Sequence, residues 1–334
     1  MTVKIGIIGA GIMGADHARI FVEEVPGVEV TMICDATAER AEQVASRLDI
    51  ATVQTDPEAL IADTDVEAVV IASTDETHAP LTLSALRVGK KVLCEKPLAH
   101  SVEECRSVIE AEVALGRKMV QIGFMRRYDP SYVEMKSALD DGLLGPAMMM
   151  HNFHRNVTSP GAWFTGEMAI TNSASHEFDV ARYVLGSDYK SVSVFQPKRS
   201  DDMVAPVMIV LETDQGQIVN IEINNNAAYG YDVRGELVGE TGSVSLNAGP
   251  GAAYNLALKG YTAYAADWRK RFQEAYRRQN ADFVHFVATG EFSNIASDVW
   301  DGYCATMAGL AGAKALREGR PVNIEFMPKP ALYR

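Results

Sequence analysis

Short apolar runs alternate with longer amphipathic segments over residues 1–122 of the chain. The apolar runs have the length and composition of buried strands and lie at residues 4–8, 28–34, 66–72, 91–94 and 118–122. The amphipathic segments between them have the period of helices and lie at residues 15–24, 36–48, 79–88 and 101–115. Strands that are apolar along their whole length are buried on both faces, so this alternation predicts a doubly wound parallel sheet with right-handed crossovers.

The pattern changes after residue 122, where strands joined by short turns become dominant. These predicted strands lie at residues 148–154, 191–196, 204–213, 217–226, 233–238 and 242–246. Helices are predicted around them at residues 130–139, 173–185, 267–289 and 295–317. The chain is therefore predicted to combine an α/β domain at 1–122 with an α+β domain at 123–334. The second domain should hold a mostly antiparallel open sheet with helices on one face.

The helices of the second domain can cover only one face of its sheet. The predicted strands 204–213 and 217–226 carry apolar residues in alternate positions, and the second of them also carries Asn220 and Asn224. A sheet face that no helix covers is typical of a surface that binds another protein. We therefore predict a homo-oligomer, a dimer or tetramer, assembled through this sheet.

Composition narrows the class of protein. The chain has 334 residues and a formal net charge of −13, with 47% hydrophobic residues. This acidity disfavours nucleic acids and anionic membranes as partners. No run of about 18 apolar residues and no N-terminal signal pattern is visible, so a cytoplasmic protein is expected. The four cysteines lack CxxC spacing and are predicted to be reduced and buried, and no residue cluster has the spacing of a metal site.

A glycine-rich turn, Gly9-Ala10-Gly11-Ile12-Met13-Gly14, joins the first predicted strand to the first predicted helix. This arrangement is typical of a Rossmann dinucleotide-binding unit. Gly9 permits a tight turn, Gly11 lets the backbone approach a pyrophosphate, and Gly14 lets the helix pack closely on the strand. The backbone at Ile12 and Met13 begins the helix, whose unpaired N–H groups can bind phosphate.

Asp35 lies at the end of the second predicted strand, about 20 residues after the last glycine of the turn. A carboxylate at this position can accept hydrogen bonds from the adenosine ribose hydroxyls and would repel a 2′-phosphate. The sequence therefore predicts NAD as cofactor in preference to NADP. Arg40 is the opposing feature, because an arginine nearby can pair with a phosphate; the alternative is a solvated helix residue.

The tripeptide Glu95-Lys96-Pro97 follows a predicted strand at the carboxyl edge of the sheet, where open α/β sheets bind ligands. Pro97 favours an extended conformation at Lys96, which directs the amine into the crevice at that edge. An amine there can polarise a hydroxyl or carbonyl oxygen or transfer a proton. The alternative is a surface lysine in a strand–helix turn, and the spacing does not choose between the two.

These features together resemble the glucose–fructose oxidoreductase / inositol dehydrogenase / rhizopine catabolism (Gfo/Idh/MocA) family over the full length of the chain. Several further stretches, in the same order, are similar to its bacterial inositol 2-dehydrogenase subgroup. They are Gln121-Ile122-Gly123-Phe124-Met125-Arg126-Arg127-Tyr128-Asp129-Pro130, His154-Arg155-Asn156, Tyr229-Gly230-Tyr231-Asp232, Asp267-Trp268-Arg269 and Trp300-Asp301-Gly302-Tyr303.

The resemblance implies roles for Lys96 and His176 in catalysis. Lys96 would contact the substrate hydroxyl and the nicotinamide ribose, and a neutral imidazole at His176 is suited to act as a general base. Asn172 lies one helical turn before His176, where similar enzymes have an aspartate. An asparagine can still orient the ring, but it supplies no negative charge. The alternative for His176 is a hydrogen-bonded histidine packed at a domain interface.

The resemblance also points to residues that bind the cofactor and the substrate. The additional candidates for cofactor binding are Ser73, Thr74, His78 and Glu95. The candidates for substrate binding are Arg126, His154, Asp179 and Tyr231, because a ring rich in hydroxyls needs several fixed polar partners. Trp268 can supply an apolar floor, although a tryptophan is more often part of a core. Loop capping is the alternative interpretation for Ser73, Thr74 and His78, and an ion pair with Arg182 is the alternative for Asp179.

The sequence therefore predicts an NAD-dependent dehydrogenase that oxidises a secondary alcohol of a cyclitol, myo-inositol or an isomer, to a ketone. Two alternatives stay open. Asn172, in place of aspartate, leaves room for an aldose or anhydrosugar dehydrogenase of the same family. A non-catalytic NAD-sensing regulator is the second alternative, which the presence of Lys96 and His176 disfavours.

Overall fold

Residues 2–246 and 253–334 are described by a computed structural model of the chain. Two compact units are present, one formed by Met1–Tyr128, Glu274–Thr306 and Met327–Arg334, the other by Asp129–Gln273 and Met307–Phe326. The sequence predicted a single division at residues 122/123. Each unit is instead built from several segments, because two long helices near the C-terminus contribute residues to both.

The first unit contains a six-stranded sheet in which every pair of neighbouring strands is parallel. The strands are β1 (Val3–Ile8), β2 (Val28–Cys34), β3 (Thr52–Gln54), β4 (Ala68–Ile71), β5 (Lys91–Cys94) and β6 (Val120–Ile122). Their spatial order is β3-β2-β1-β4-β5-β6. The four residues of β4 are all buried, as expected for a strand covered on both faces. The predicted doubly wound sheet is confirmed.

Five helices connect these strands. They are α1 (Ile12–Glu24), α2 (Ala38–Leu48), α3 (Pro57–Ala62), α4 (His78–Arg87) and α5 (Val102–Leu115). Local sequence explains where α5 begins and ends. Ser101 accepts a hydrogen bond from the Glu104 N–H while the Glu104 carboxylate bonds back to Ser101, and Gly116 ends the helix in the left-handed region.

The second unit contains a seven-stranded sheet with the order β12-β11-β7-β10-β9-β8-β15. Its strands are β7 (Ala147–Arg155), β8 (Tyr189–Phe195), β9 (Val207–Thr213), β10 (Ile218–Asn224), β11 (Asp232–Gly239), β12 (Ser243–Ser245) and β15 (Val322–Asn323). Neighbours are antiparallel except β7 and β10, which run parallel. The predicted mostly antiparallel sheet is confirmed, and its single parallel pair lies at the centre. A separate hairpin is formed by β13 (Ala253–Leu256) and β14 (Lys259–Thr262).

Burial alternates strictly along the central strands of this sheet. In β9, Val207, Ile209 and Leu211 are buried, whereas Met208 and Val210 on the opposite face are more exposed. The remaining helices are α6 (Pro130–Asp140), α7 (Gly166–Met168), α8 (Ser175–Leu185), α9 (Trp268–Thr289) and α10 (Val299–Glu318). The buried face packs against helices: the Tyr189 hydroxyl donates to the Phe178 carbonyl oxygen of α8 at 2.8 Å. One face of the sheet is therefore covered and one is open.

The helix predicted at 173–185 is interrupted near its start. The chain forms a π-helical turn over Ala169–Ser173, closed by the Ala174 N–H on the Ala169 carbonyl oxygen at 3.0 Å, and α8 begins only at Ser175. Asn172 therefore lies in the π turn, whereas His176 lies in the first turn of α8. Such π turns are frequent at functional sites.

The structure also bears on the cysteines, on membrane-spanning helices and on metal binding. All four cysteines are buried, as predicted. Within residues 2–246 and 253–334, no helix is both long and apolar enough to cross a membrane. The same residues contain no group of three or more His, Cys, Asp and Glu side chains arranged to hold a metal ion.

A buried carboxyl group in the first unit predicts how stability depends on pH. Glu112 accepts hydrogen bonds from the N–H groups of Met119 and Val120, at 2.5 and 2.8 Å, and from the Tyr333 hydroxyl at 2.6 Å. Burial outweighs these bonds and raises the pKa of Glu112 to about 7. The folded state therefore binds a proton that the unfolded state releases near pH 4.5.

We expect the contribution of Glu112 to stability to be present below pH 4.5 and to be lost as pH rises through about 7. The loss should be on the order of 3 kcal/mol in the free energy of unfolding. Urea denaturation of Glu112→Gln between pH 4.5 and 8 should show a flatter pH dependence than wild type. Glu110→Gln, at an exposed position of the same helix, is the control. Equal slopes for Glu112→Gln and wild type would contradict the assignment.

Candidate active site

The glycine turn between β1 and α1 is tightly packed except at one position. Gly9 has φ +101°, and a Cβ there would lie 2.3 Å from the Ala72 carbonyl oxygen. A Cβ at Gly14 would lie 1.8 Å from the Gly9 carbonyl oxygen. At Gly11, in contrast, a Cβ would have no atom within 4 Å. Gly9 and Gly14 are therefore required by the packing of the turn, whereas Gly11 borders open space.

The open space at Gly11 fits a bound pyrophosphate. Gly11 is the N-cap residue of α1 and has no side chain to bond the first N–H groups of the helix. Ile12, at the first position of the helix, is 65% exposed. The first N–H groups of a helix have no partner within the helix, and its macrodipole adds partial positive charge. These properties suit a dinucleotide phosphate and agree with the roles predicted for Gly11, Ile12 and Met13.

Asp35 follows β2 and lies beside the turn. One carboxylate oxygen accepts a hydrogen bond from the Ala10 N–H at 2.8 Å, and the other accepts from the Thr37 N–H at 2.9 Å. The guanidinium of Arg40 lies 3.4 Å from the carboxylate and is half-exposed. The carboxylate is therefore fixed at the edge of the glycine turn, where the adenosine ribose of a dinucleotide is expected.

Removing this carboxylate should change the preference for cofactor. We expect Asp35→Ser to raise the Kd for NADH by about tenfold to a hundredfold, because hydrogen bonds to a charged group are lost. The Kd for NADPH should fall, since repulsion of the 2′-phosphate is removed and Arg40 becomes available to it. Titration by NAD(P)H fluorescence measures both constants. The gain for NADPH should disappear in Asp35→Ser/Arg40→Ala, and an unchanged Kd for NADH would contradict the role of Asp35.

The loop after β4 carries the next predicted cofactor residues. The hydroxyls of Ser73 and Thr77 are hydrogen-bonded at 2.6 Å, and Thr77 donates to the Thr74 carbonyl oxygen at 2.7 Å. The buried ring of His78 lies 2.7 Å from the Pro97 carbonyl oxygen and 3.3 Å from that of Ser73. His78 therefore holds two loops of the sheet edge together, while Ser73 and Thr74 keep partly exposed polar groups.

Glu95 and Lys96 lie where β5 ends. Glu95 is buried, and one of its carboxylate oxygens accepts a hydrogen bond from the backbone N–H of Lys96 at 3.2 Å. The Lys96 residue itself is only partly buried. Lys96 therefore follows β5 at the carboxyl edge of the parallel sheet, with a buried carboxylate directly before it.

Three ionisable residues of the second unit lie on the first turns of α8. His176, Glu177 and Asp179 are all buried, with Glu177 completely enclosed. The Glu177 carboxylate lies 3.2 Å from Nδ1 of His154 on β7. Arg182, considered as the partner of Asp179, pairs with Asp188 at 2.6 Å. Burying several ionisable side chains costs free energy, and such clusters are frequent at functional sites. The cluster on α8 is therefore a candidate site.

The substrate residues predicted in the second unit include one close pair. The rings of His154 and Tyr231 pack edge to face with centroids 6.0 Å apart, and Tyr231 also packs on Phe272. Nε2 of His154 lies 3.4 Å from the amide nitrogen of Asn156. Asn172 is half-buried, and its backbone carbonyl oxygen accepts a hydrogen bond from the Ser175 hydroxyl at 2.7 Å. Residues His154, Tyr231 and Glu177 therefore form one connected group.

Two further candidates have different surroundings. Arg126 belongs to the first unit and lies on a 3₁₀ turn, Met125–Tyr128, with its side chain almost completely buried. Trp268 begins α9 and is half-buried beside Arg269, whose guanidinium lies 5.9 Å from the indole ring. A buried arginine fits a site for polar ligands, and the buried indole nitrogen of Trp268 has no hydrogen-bond partner among the described residues.

The sequence pattern does not point to a role for His17 or Glu177. His17 lies on the buried face of α1 and contacts Glu95, and Glu177 contacts His154. On the sequence, a histidine on an apolar helix face is typical of core packing. Only the pairing of distant segments, which local pattern does not show, brings each residue to its partner.

Comparison with known proteins defines the class. Residues 3–124 match the model of the oxidoreductase family with an NAD-binding Rossmann fold, and residues 132–245 match the GFO/IDH/MocA C-terminal domain. The chain belongs to the Gfo/Idh/MocA oxidoreductase family, and the predicted NAD-binding character of its first unit is confirmed.

Particular relatives cover the whole chain. Inositol 2-dehydrogenase 2 of Saccharopolyspora erythraea is 44% identical, with 100% of this chain and 98% of the relative aligned. The inositol 2-dehydrogenase/D-chiro-inositol 3-dehydrogenase of Shouchella clausii is 39% identical over 100% of this chain and 97% of its own length. The crystal structure of myo-inositol dehydrogenase from Lactobacillus casei, in complex with NAD(H) and myo-inositol, superimposes with a TM-score of 0.94 at 31% identity and covers 100% of both chains.

Proposed function

We propose that this protein oxidises one secondary hydroxyl of a cyclitol, myo-inositol or a close isomer, to a ketone, with NAD as hydride acceptor. The observation that carries the proposal is the full-length similarity to inositol 2-dehydrogenases, which extends to a solved relative that holds NAD(H) and myo-inositol. The glycine turn, Asp35, Lys96 and the buried acid–base residues of α8 support it, because together they can bind NAD, polarise a hydroxyl and accept its proton.

The oxidation removes a proton and a hydride from the alcohol. The hydroxyl loses its proton, the carbinol carbon loses a hydride, and the C–O single bond becomes a carbonyl. NAD supplies the hydride-accepting nicotinamide, and NADH and a proton are the products besides the ketone. The protein must therefore remove the proton and stabilise negative charge on the oxygen as the hydride leaves.

His176 and Lys96 are proposed for these two tasks. A neutral imidazole accepts the hydroxyl proton near pH 7, which is the usual role of histidine in acid–base catalysis. The Lys96 ammonium stabilises the developing alkoxide by a charge-assisted hydrogen bond. Much of the acceleration is expected from holding the reacting groups in place. Arg126, His154, Asp179 and Tyr231 are proposed to bind the remaining hydroxyls.

Asn172 changes one part of this arrangement. A carboxylate at this position would stabilise the imidazolium that forms at His176, whereas an amide can only orient the ring. We therefore expect proton removal to be slower than in a relative with aspartate. The asparagine also favours a second candidate, an aldose or anhydrosugar dehydrogenase. In that enzyme the change from aspartate at position 172, beside His176, would accompany a change of substrate.

A substrate panel tests the proposal. Purified wild type and Asn172→Asp are incubated with NAD and each of myo-, scyllo- and D-chiro-inositol, glucose and an anhydrosugar, and NADH is followed by absorbance. A cyclitol should give the highest kcat/KM, and Asn172→Asp should raise kcat without changing the order of substrates. A preference for a sugar supports the second candidate. Tight NADH binding without turnover of any alcohol would indicate a regulator.

We also propose a homo-oligomer that assembles through the open face of the seven-stranded sheet. Met149, Met208 and Phe195 are among the exposed apolar residues of this face, and an apolar face without cover favours a protein partner. Val210 is central, paired with Ser193 and Asn220. Light scattering should give a dimer or tetramer for wild type and a smaller particle for Val210→Arg. Val113→Arg, at an exposed position of α5, should keep the wild-type mass, and a monomeric wild type would contradict the proposal.

The proposed location is the cytoplasm. Four buried cysteine thiols suit a reducing compartment.

A further inference from the structure

A buried histidine connects the helix of the glycine turn to the residue before Lys96. His17 lies on α1, and its Nε2 is 3.0 Å from one carboxylate oxygen of Glu95. Its Nδ1 is 3.1 Å from the side-chain oxygen of Asn280 on α9. The other carboxylate oxygen of Glu95 accepts the hydrogen bond from the Lys96 backbone N–H. A continuous chain of hydrogen bonds therefore runs from Asn280 through His17 and Glu95 to the Lys96 peptide.

The surroundings of this chain restrict its movement. The His17 side chain is 0% exposed and that of Glu95 is 7% exposed. The imidazole stacks on Phe21 and meets Tyr276 edge to face, with centroid separations of 6.3 and 5.8 Å. At Gly123, a Cβ would lie 2.9 Å from the Glu95 carboxyl carbon, so the chain passes close to the carboxylate on that side. The carboxylate is thus enclosed and held from two directions.

Electrostatics favour an ionised Glu95. Burial raises the pKa of Glu95, but the hydrogen bond and charge of His17, together with Lys96, outweigh burial and hold the pKa below its ordinary value. Both ring nitrogens of His17 face oxygen atoms, one of Glu95 and one of Asn280, and the ring forms a buried pair with the Glu95 carboxylate. Breaking one side of such a buried pair would leave a charge without compensation.

We propose that His17 is a positioning residue for Lys96. The inference rests on the proposed function, in which Lys96 contacts the reacting oxygen. His17 fixes the Glu95 carboxylate, and the carboxylate fixes the peptide that carries the Lys96 side chain. Because His17 also belongs to the helix that begins at the glycine turn, one side chain sets the phosphate-binding helix and the amine in a fixed relation to each other.

Three substitutions separate the two contacts of the ring. Gln places an amide near the position of Nε2, so His17→Gln retains a donor for Glu95. Asn places its amide near the position of Nδ1, so His17→Asn retains the contact to Asn280 and loses the one to Glu95. His17→Phe keeps a ring of similar volume and loses both contacts. The Gln and Asn variants have similar polarity, which makes them matched controls for each other.

The expected result is a difference between the Gln and Asn variants. His17→Asn and His17→Phe should lower kcat for the cyclitol by about 10-fold to 100-fold, the loss expected when a reacting group is misplaced by about 1 Å. KM and the Kd for NADH should change little, and His17→Gln should remain close to wild type. Deuterium uptake in peptides spanning residues 95–98 should rise in His17→Asn and His17→Phe, because the Lys96 N–H loses its fixed acceptor.

Two outcomes would contradict the inference. If Gln and Asn lower kcat and the melting temperature equally, His17 only fills the core. If the Lys96 amide exchanges at the wild-type rate in His17→Asn, Glu95 does not depend on His17. Failure of His17→Phe to fold leaves the Gln and Asn pair as the test. A wild type that oxidises no cyclitol defeats the proposed function, while the exchange measurement still tests the role of His17.

Discussion

Replacing Lys96 with methionine is expected to lower kcat for the cyclitol by about 10²-fold to 10⁴-fold, the range for loss of a group that assists proton transfer. Methionine has a similar length but no charge, so the developing alkoxide loses its charge-assisted hydrogen bond. The Kd for NADH should rise much less than kcat falls, because only the contact of Lys96 to the nicotinamide ribose is lost while the glycine turn and Asp35 are unchanged. Steady-state rates with NAD and myo-inositol measure the effect.

The control for Lys96→Met is Lys190→Met. Lys190 is exposed on β8 and pairs with Glu212 at 3.3 Å, so its loss should leave turnover unchanged. If Lys96→Met keeps near wild-type turnover on the best cyclitol, Lys96 does not act on the reacting oxygen.

Replacing His176 with alanine is the second large effect expected. Loss of a general base should lower kcat by about 10²-fold to 10⁴-fold near pH 7. The deficit should shrink as the pH rises, because solvent hydroxide then takes over removal of the hydroxyl proton. Rates between pH 6 and 10, measured for wild type and variant with NAD and the cyclitol, test this.

His285→Ala, at an exposed position of α9, is the control for His176→Ala. A second check uses Lys96→Met/His176→Ala, whose loss should be smaller than the product of the two single losses, because residues that act as one unit are not additive. Strictly multiplicative losses, or a deficit that is independent of pH, would contradict a shared role at one hydroxyl.

The architecture of the first unit could be predicted almost completely from sequence. Its strands are buried on both faces and therefore form uninterrupted apolar runs, so that β2 and β5 coincide with their predicted bounds. The missed elements, β3 and α3, are three and six residues long. Elements this short carry too few residues for a periodic signal.

The second unit shows where local pattern stops being informative. Alternation predicted β9 and β10, but not the parallel pairing of β10 with β7, which depends on contacts between segments far apart in the chain. The π turn over Ala169–Ser173 has the same side-chain pattern as an α-helix and differs only in its hydrogen bonds. It could not be predicted from periodicity, although it lies beside His176.

The residues of the candidate site also fall into two groups, those that a local motif predicts and those that depend on contacts between distant segments. Gly9, Gly14 and Asp35 could be predicted because a local motif fixes their backbone and spacing. The partners that hold charged groups in place, such as His17 for Glu95 and Glu177 for His154, come from segments far apart in sequence. Burial and hydrogen bonding, rather than sequence pattern, reveal them.

The most direct test of the account is a crystal structure of the protein with NADH and the cyclitol that it oxidises best. We expect the Lys96 amine and a ring nitrogen of His176 both to lie within about 2.6–3.2 Å of one hydroxyl oxygen of the cyclitol. The carbon that bears this hydroxyl should face C4 of the nicotinamide. An amine or imidazole bonded to a different hydroxyl, or to none, would contradict it.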